Sequence, residues 1–84
     1  MDTVISVSLN KIKDVKKFAE LANCYSGDVL VSSGLYTVSG KSLLGLFSID
    51  LSKTISVNFI GENPNEIIKE IQNVIQSSEG NDEK

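Results

Sequence analysis

Eighty-four residues with 40% apolar and 23% charged content describe one small globular domain of ordinary soluble composition. The chain has a net charge of −3, no arginine, no histidine and one cysteine, Cys24. That inventory excludes an imidazole base, a phosphohistidine, an ordinary zinc or haem site, a Cys/His nucleophile and an internal disulfide. It also argues against nucleic acid, which calls for basic patches and commonly arginine. No run of about 18 apolar residues is present, so no membrane span is expected. The acidic start, Met1-Asp2-Thr3, leads straight into an alternating pattern instead of a signal peptide, and the lone cysteine fits a reducing cytoplasm. The expectation is a cytoplasmic protein that is not an enzyme, with no catalytic residues, no cofactor and no metal.

Residues 3–9 alternate, with Ile5, Val7 and Leu9 on one side, which predicts a half-buried strand. A polar link follows, with Asn10 or Asp14 as the expected N-cap of a first helix. In that helix Val15, Phe18, Leu21, Ala22 and Tyr25 recur at helical spacing. Lys11, Lys13, Lys16 and Lys17 gather half of the eight lysines at its start. They read as a solvated face balancing an acidic protein, or as an attraction for anions at a helix N-terminus. Gly27 is the expected left-handed stop, and Cys24 reads as a partly buried small apolar residue.

Val29-Leu30-Val31 is the second strand, and Ser32-Ser33-Gly34 turns the chain into Leu35-Tyr36-Thr37-Val38 to make a hairpin. Gly40-Lys41-Ser42 has the look of the end of a phosphate-binding P-loop. Such a loop needs glycine at the position of Leu35, and Gly34 is one place too early. Ser42 instead reads as the N-cap of a short helix of about two turns, closing near Ser48 or Asp50. Leu46 and Ile49 share its core side, while Leu43, Leu44 and Phe47 fan over the neighbouring surface. Either neighbouring segments bury all of these leucines, or Leu43, Leu44 and Phe47 form an exposed apolar patch of the kind that marks a partner surface. Gly45 inside so short a helix costs up to about 1 kcal/mol against alanine, which points to a close approach.

Residues 54–60 are the clearest strand, with Ile55, Val57 and Phe59 inward. Asn63 as N-cap, Pro64 as first helical residue and Glu66 as capping-box partner predict a third helix with Ile67, Ile68, Ile71, Val74 and Ile75 on one face. One domain is expected over 3–77, with a disordered acidic tail over 78–84. The order β-α-β-β-α-β-α, with single apolar faces on the helices, demands an α+β two-layer sandwich: helices on one face of a largely antiparallel sheet. Its expected core is Ile5, Val7, Phe18, Leu21, Val57, Phe59, Ile67, Ile71 and Val74.

Together with this order, Lys41-Ser42-Leu43-Leu44-Gly45-Leu46-Phe47-Ser48-Ile49 and Tyr25-Ser26-Gly27-Asp28-Val29 resemble the HPr family, the small phosphocarrier of the bacterial sugar phosphotransferase system. The likeness spans about residues 3–77. It implies an open-faced sandwich, with a four-stranded sheet in the order 1-4-2-3 covered by three helices. It also implies that the short second helix presents apolar residues to partners. The family's active loop carries the phosphoacceptor histidine; counting back from Ser42 without gaps puts Lys11 there, with Lys13 at the arginine and Asp14 at the proline. The first strand matches better if that loop is about two residues shorter, and either way the histidine is missing.

Without that histidine the resemblance narrows to the Crh-like members, which keep the serine and act in catabolite repression through its phosphorylation. Ser42 is then the implied regulatory phosphorylation site, acted on by a serine kinase, although a helix cap alone would also explain a serine there. Leu43, Leu44, Phe47, Lys11, Lys13 and Lys41 are the implied partner-binding residues, with a protein partner and neither nucleic acid nor membrane. The alternative is the same fold reused as a binding or assembly module without phosphorylation.

Overall fold

The computed structural model describes the backbone of residues 2–81 and the side chains of 3–75. The elements are β1 (Asp2–Val7), α1 (Ile12–Cys24), β2 (Asp28–Ser33), β3 (Tyr36–Ser39), α2 (Leu43–Phe47), β4 (Ile55–Ile60) and α3 (Asn65–Asn81). The four strands form one sheet in the order β1-β4-β2-β3, antiparallel at every pairing. The open-faced sandwich and its strand order are those expected. The tail expected over 78–84 lies at the edge of this description, since α3 continues through Asn81 and 82–84 fall outside it. A helix satisfies its own backbone, so α3 can run on beyond Ile75 without an apolar face.

Period-two alternation assigns each strand residue to a face. Ile5, Val57, Val31 and Val38 stand in one cross-strand row on the helix side, and Val57 and Val31 have no solvent exposure. Phe18 and Ala22 of α1, Leu46 of α2 and Ile71 of α3 pack on that side, all at 0% exposure. Truncating a buried phenylalanine such as Phe18 or Phe59 costs about 3–5 kcal/mol. Of the expected core residues, Ile5, Leu21 and Ile67 are only partly buried and border the cluster, and Val74 is half-buried outside it. The opposite face has no helix on it. Val4, Asn58, Leu30 and Ser39 make one row there, and Ser6, Ser56, Ser32 and Thr37 the next.

Three local expectations are corrected. Neither Asn10 nor Asp14 caps α1: Lys11 is the N-cap residue, and its carbonyl accepts from Asp14 N at 3.0 Å and Val15 N at 3.1 Å. Gly27 is not a left-handed stop, because α1 ends on Tyr25 in extended conformation and Gly27 lacks a positive φ. Its need is for space: a Cβ there would run into the Ile60 carbonyl and lie 2.8 Å from the Tyr25 ring. Asn63 does not cap α3 either. It takes φ 49°, and the Pro64 carbonyl accepts from Ile68 N at 2.9 Å, which starts the helix one residue later. Gly34, at φ 62°, does supply the left-handed turn of the β2–β3 hairpin.

Tyr25 joins α1 to β4. Its ring meets Phe59 edge-on, with centroids 5.7 Å apart and planes at 85°. Its hydroxyl is buried over Gly61 with no hydrogen-bond partner among the described residues. An unpaired buried polar group costs about 1–3 kcal/mol. Tyr25→Phe keeps the ring contact and removes that group, so the variant is expected to unfold at the same or a higher temperature. A clear drop in melting temperature would contradict the absence of a partner.

Candidate functional site

The short helix α2 is built by its ends. Ser42 Oγ accepts from Gly45 N–H at 3.0 Å, satisfying one of the free donors of the first turn. At the other end Ser48 closes the helix, its N–H and Oγ both donating to the Gly45 carbonyl at 3.0 and 2.6 Å. The helix is therefore only Leu43–Phe47, shorter than the two turns expected. Gly45 is there for close approach, since a Cβ would sit 3.2 Å from Ser42 Oγ and 3.4 Å from Val38 Cβ. Beyond α2, Asp50 accepts from Ser52 Oγ at 2.6 Å and Ser52 N at 3.0 Å. These bonds hold its carboxyl below the ordinary carboxylate range. Their contribution is present at neutral pH and is lost only as pH falls through that lowered value.

With Leu46 fully buried, Leu44 points away from the core at 84% exposure and Phe47 is 45% exposed. Leu43 departs from expectation: it is half-buried and packs against the core, because it lies on the flank of α2 nearer Leu46. Ile49 borders the core in the same way. Phe47 instead meets the start of α1, where a groove of about 380 Å³ opens between the two elements. Leu9 and Val15 line its floor, and Ile12, Phe47 and Leu51 its sides, with Lys11 beside them.

Ile12, 66% exposed, is a residue that sequence reasoning missed. It was hidden among lysines, off the apolar stripe of α1. Lys13 is exposed one residue further along.

Lys41, an implied partner-binding residue, is turned back onto the fold: its Nζ donates to the Tyr25 carbonyl at 2.7 Å, at the C-terminal end of α1. Asn23 Nδ2 donates to the carbonyls of Lys41 and Ala19 at 3.0 and 2.8 Å, so loop and helix end are tied together. The site thus divides. Phe47, Ile12 and Lys11 line the groove and Leu44 is exposed outside its lining, whereas Ser42 and Lys41 sit at the start of α2. Cys24 is exposed at the end of α1, not partly buried as expected, because the last turn of the helix presents it to solvent. No group of three or more His, Cys, Asp or Glu residues suited to a metal occurs among the described residues. No helix among them is long and apolar enough to cross a membrane.

Two substitutions distinguish the faces of α2. Leu46→Ala is expected to cost about 2–5 kcal/mol, and Phe47→Ala much less, since Phe47 is already partly in water. Thermal unfolding of the pair checks this; equal losses would place Phe47 in the core.

No protein-family model and no curated protein matches the chain. Solved structures do. A phosphocarrier protein HPr from Bacillus anthracis str. Ames shares 19% identity, with a TM-score of 0.67 over 83% of this chain and 92% of its own. HPr-C-His from Thermoanaerobacter tengcongensis shares 22% identity, with a TM-score of 0.71 over 95% of this chain and 96% of its own. The chain has the fold of the HPr phosphocarrier proteins.

Proposed function

We propose that the protein is an HPr-like regulatory or interaction protein related to the bacterial sugar phosphotransferase system, one that binds a protein partner and carries no phosphoryl group. The observation behind this reading is the groove at the start of α1 with exposed Ile12 and Phe47 on its sides, together with Leu44 exposed on the same short helix as Phe47. Exposed large apolar side chains grouped on one side of a small domain favour a partner over solvent. The chain contains no histidine, and neither an amide at Asn10 nor an ammonium at Lys11 replaces the nucleophilic imidazole of a phosphocarrier. An enzymatic role has no residues to support it. The partner is a protein, held by Leu44, Phe47, Lys11 and Lys13 with Leu43 beneath, and the setting is the cytoplasm, without nucleic acid or membrane.

Ser42 is the proposed point of control, through a serine kinase and in the manner of catabolite repression. A phosphate there would meet the N–H groups of the first turn of α2 and draw Lys41 away from the Tyr25 carbonyl. A specific observation favours the alternative of an unphosphorylated binding or assembly module. Ser42 Oγ already has a structural task as acceptor for Gly45 N–H, and Ser42→Ala would cost about 1 kcal/mol on that ground alone.

In a reconstituted relay from phosphoenolpyruvate, no acid-labile label is expected on this protein, and its appearance would overturn the reading. With the partner captured by the wild type, Phe47→Ala is expected to lose about tenfold or more in affinity while keeping close to the wild-type melting temperature. Ser42→Asp separates the two forms: changed affinity supports control at the serine, and unchanged affinity supports the assembly module.

A further inference from the structure

α1 and α3 pack side by side in opposite directions. Glu66 and Ile67, at the start of α3, border a cleft with Cys24 and Tyr25 at the end of α1. Further along, Ile71 and Ile75 border another with Val7 and Ser8, just ahead of α1. The end of α3 and the start of α1 therefore lie at one end of the molecule, where the groove beside Phe47 also opens. From Ile75, the last core residue described, the helix advances about 9 Å to Asn81.

Both of these helix ends carry the wrong sign of charge for their own dipoles. Residues 11–17 hold four lysines and a single acid, the buried Asp14, although a helix N-terminus favours acids. Residues 79–84 hold three acids, Glu79, Asp82 and Glu83, and one lysine. The last turn of α3 has no basic residue, although a helix C-terminus favours bases. Gly80 and the lack of any apolar residue after Ile75 weaken this end further. Each helix end is unfavourable alone, and each carries the charge that the other lacks. Lys17 pairs with Glu20 at 3.5 Å, while Lys11 lines the groove and Lys13 is exposed next to Ile12.

We propose that the acidic end of the chain, Glu79, Asp82 and Glu83, binds back onto Lys11 and Lys13 and shields the basic side of the groove as an autoinhibitory strap. The carboxylates then meet the positive end of the α1 dipole as well as the lysines, and the ammonium groups meet the negative end of α3. Exposed pairs of this kind are individually weak and screened by salt, so the strap yields to a competitor. Its regulatory meaning rests on the reading in which Lys11 and Lys13 hold a protein partner: whatever engages these lysines must first displace the acids.

The reactivity of the lysines in the full chain tests the strap without any partner. Acetic anhydride in trace amount acetylates unprotonated amines, and peptide mapping by mass spectrometry gives the rate at each lysine. An ion pair favours the ammonium form. In about 0.01 M salt, where the Debye length is roughly 30 Å, Lys11 and Lys13 are expected to react about two- to threefold more slowly in wild type than in a variant combining Glu79→Gln, Asp82→Asn and Glu83→Gln. In about 1 M salt, where that length is roughly 3 Å, the difference is expected to vanish. Lys69, in the first half of α3, is expected to react alike in both proteins. A carbodiimide, which joins an ammonium group to a carboxylate in contact with it, is expected to link Lys11 or Lys13 to one of the three acids within one chain. The substituted acids lie beyond Ile75, so the variant keeps the buried core. Equal rates at Lys11 and Lys13 in the two proteins would overturn the proposal, as would an equally large change at Lys69 or carbodiimide links confined to other pairs. Any of these failures leaves the partner reading standing, because Phe47→Ala tests that reading separately.

Discussion

Three helices cover one face of a four-stranded sheet and leave the other to solvent, and most of the molecule's chemistry follows from that asymmetry. It obliges β4 and β2 to alternate, so that Ile55, Val57 and Phe59 face the helices while Ser56 and Asn58 do not. It also limits each helix to one apolar stripe. The sheet supplies the largest buried surface, and the helices are held by it more than by their own propensity: α3, rich in isoleucine, would be a poor helix in isolation.

The short helix α2 is where this arrangement is least complete. Five residues give it one fully buried anchor, Leu46, and two capping serines. Its position relative to α1 rests on polar ties as well: Lys41 to the Tyr25 carbonyl and Asn23 to the Lys41 carbonyl. Leu44 and Phe47 are left outside because a helix this narrow cannot turn all its leucines inward. The exposed apolar surface is therefore a by-product of how little of α2 the core can accept.

The element order and most of the core were legible in the sequence because period-two and period-3.6 patterns do not depend on distant neighbours. Strand order came from resemblance, since alternation says nothing of which strands pair. Helix ends were the weaker part. Gly27 was read for its conformational freedom, whereas the constraint is the nearness of Ile60, a residue 33 positions away that no local pattern announces. The bond from Lys41 to the Tyr25 carbonyl joins residues 16 positions apart, which no local pattern shows either. Ile12 escaped notice for a related reason: an exposed apolar residue off the stripe looks like noise until the fold brings Phe47 beside the same groove.

The central position of β4 bears on how the chain comes into being. β4 is the last strand in the sequence, yet it pairs with both β1 and β2, so β1 has no strand partner until residues 55–60 exist. Synthesis from the N-terminus delivers β1, α1 and the β2–β3 hairpin first, with their apolar sides unpaired. Because loop closure between β1 and β4 must precede any gain from their contacts, the nascent chain has no stable halfway fold. The cross-strand partners of Ile5 and Val7, Val57 and Ile55, thus lie some fifty residues on, and this long-range pairing sets the pace of folding.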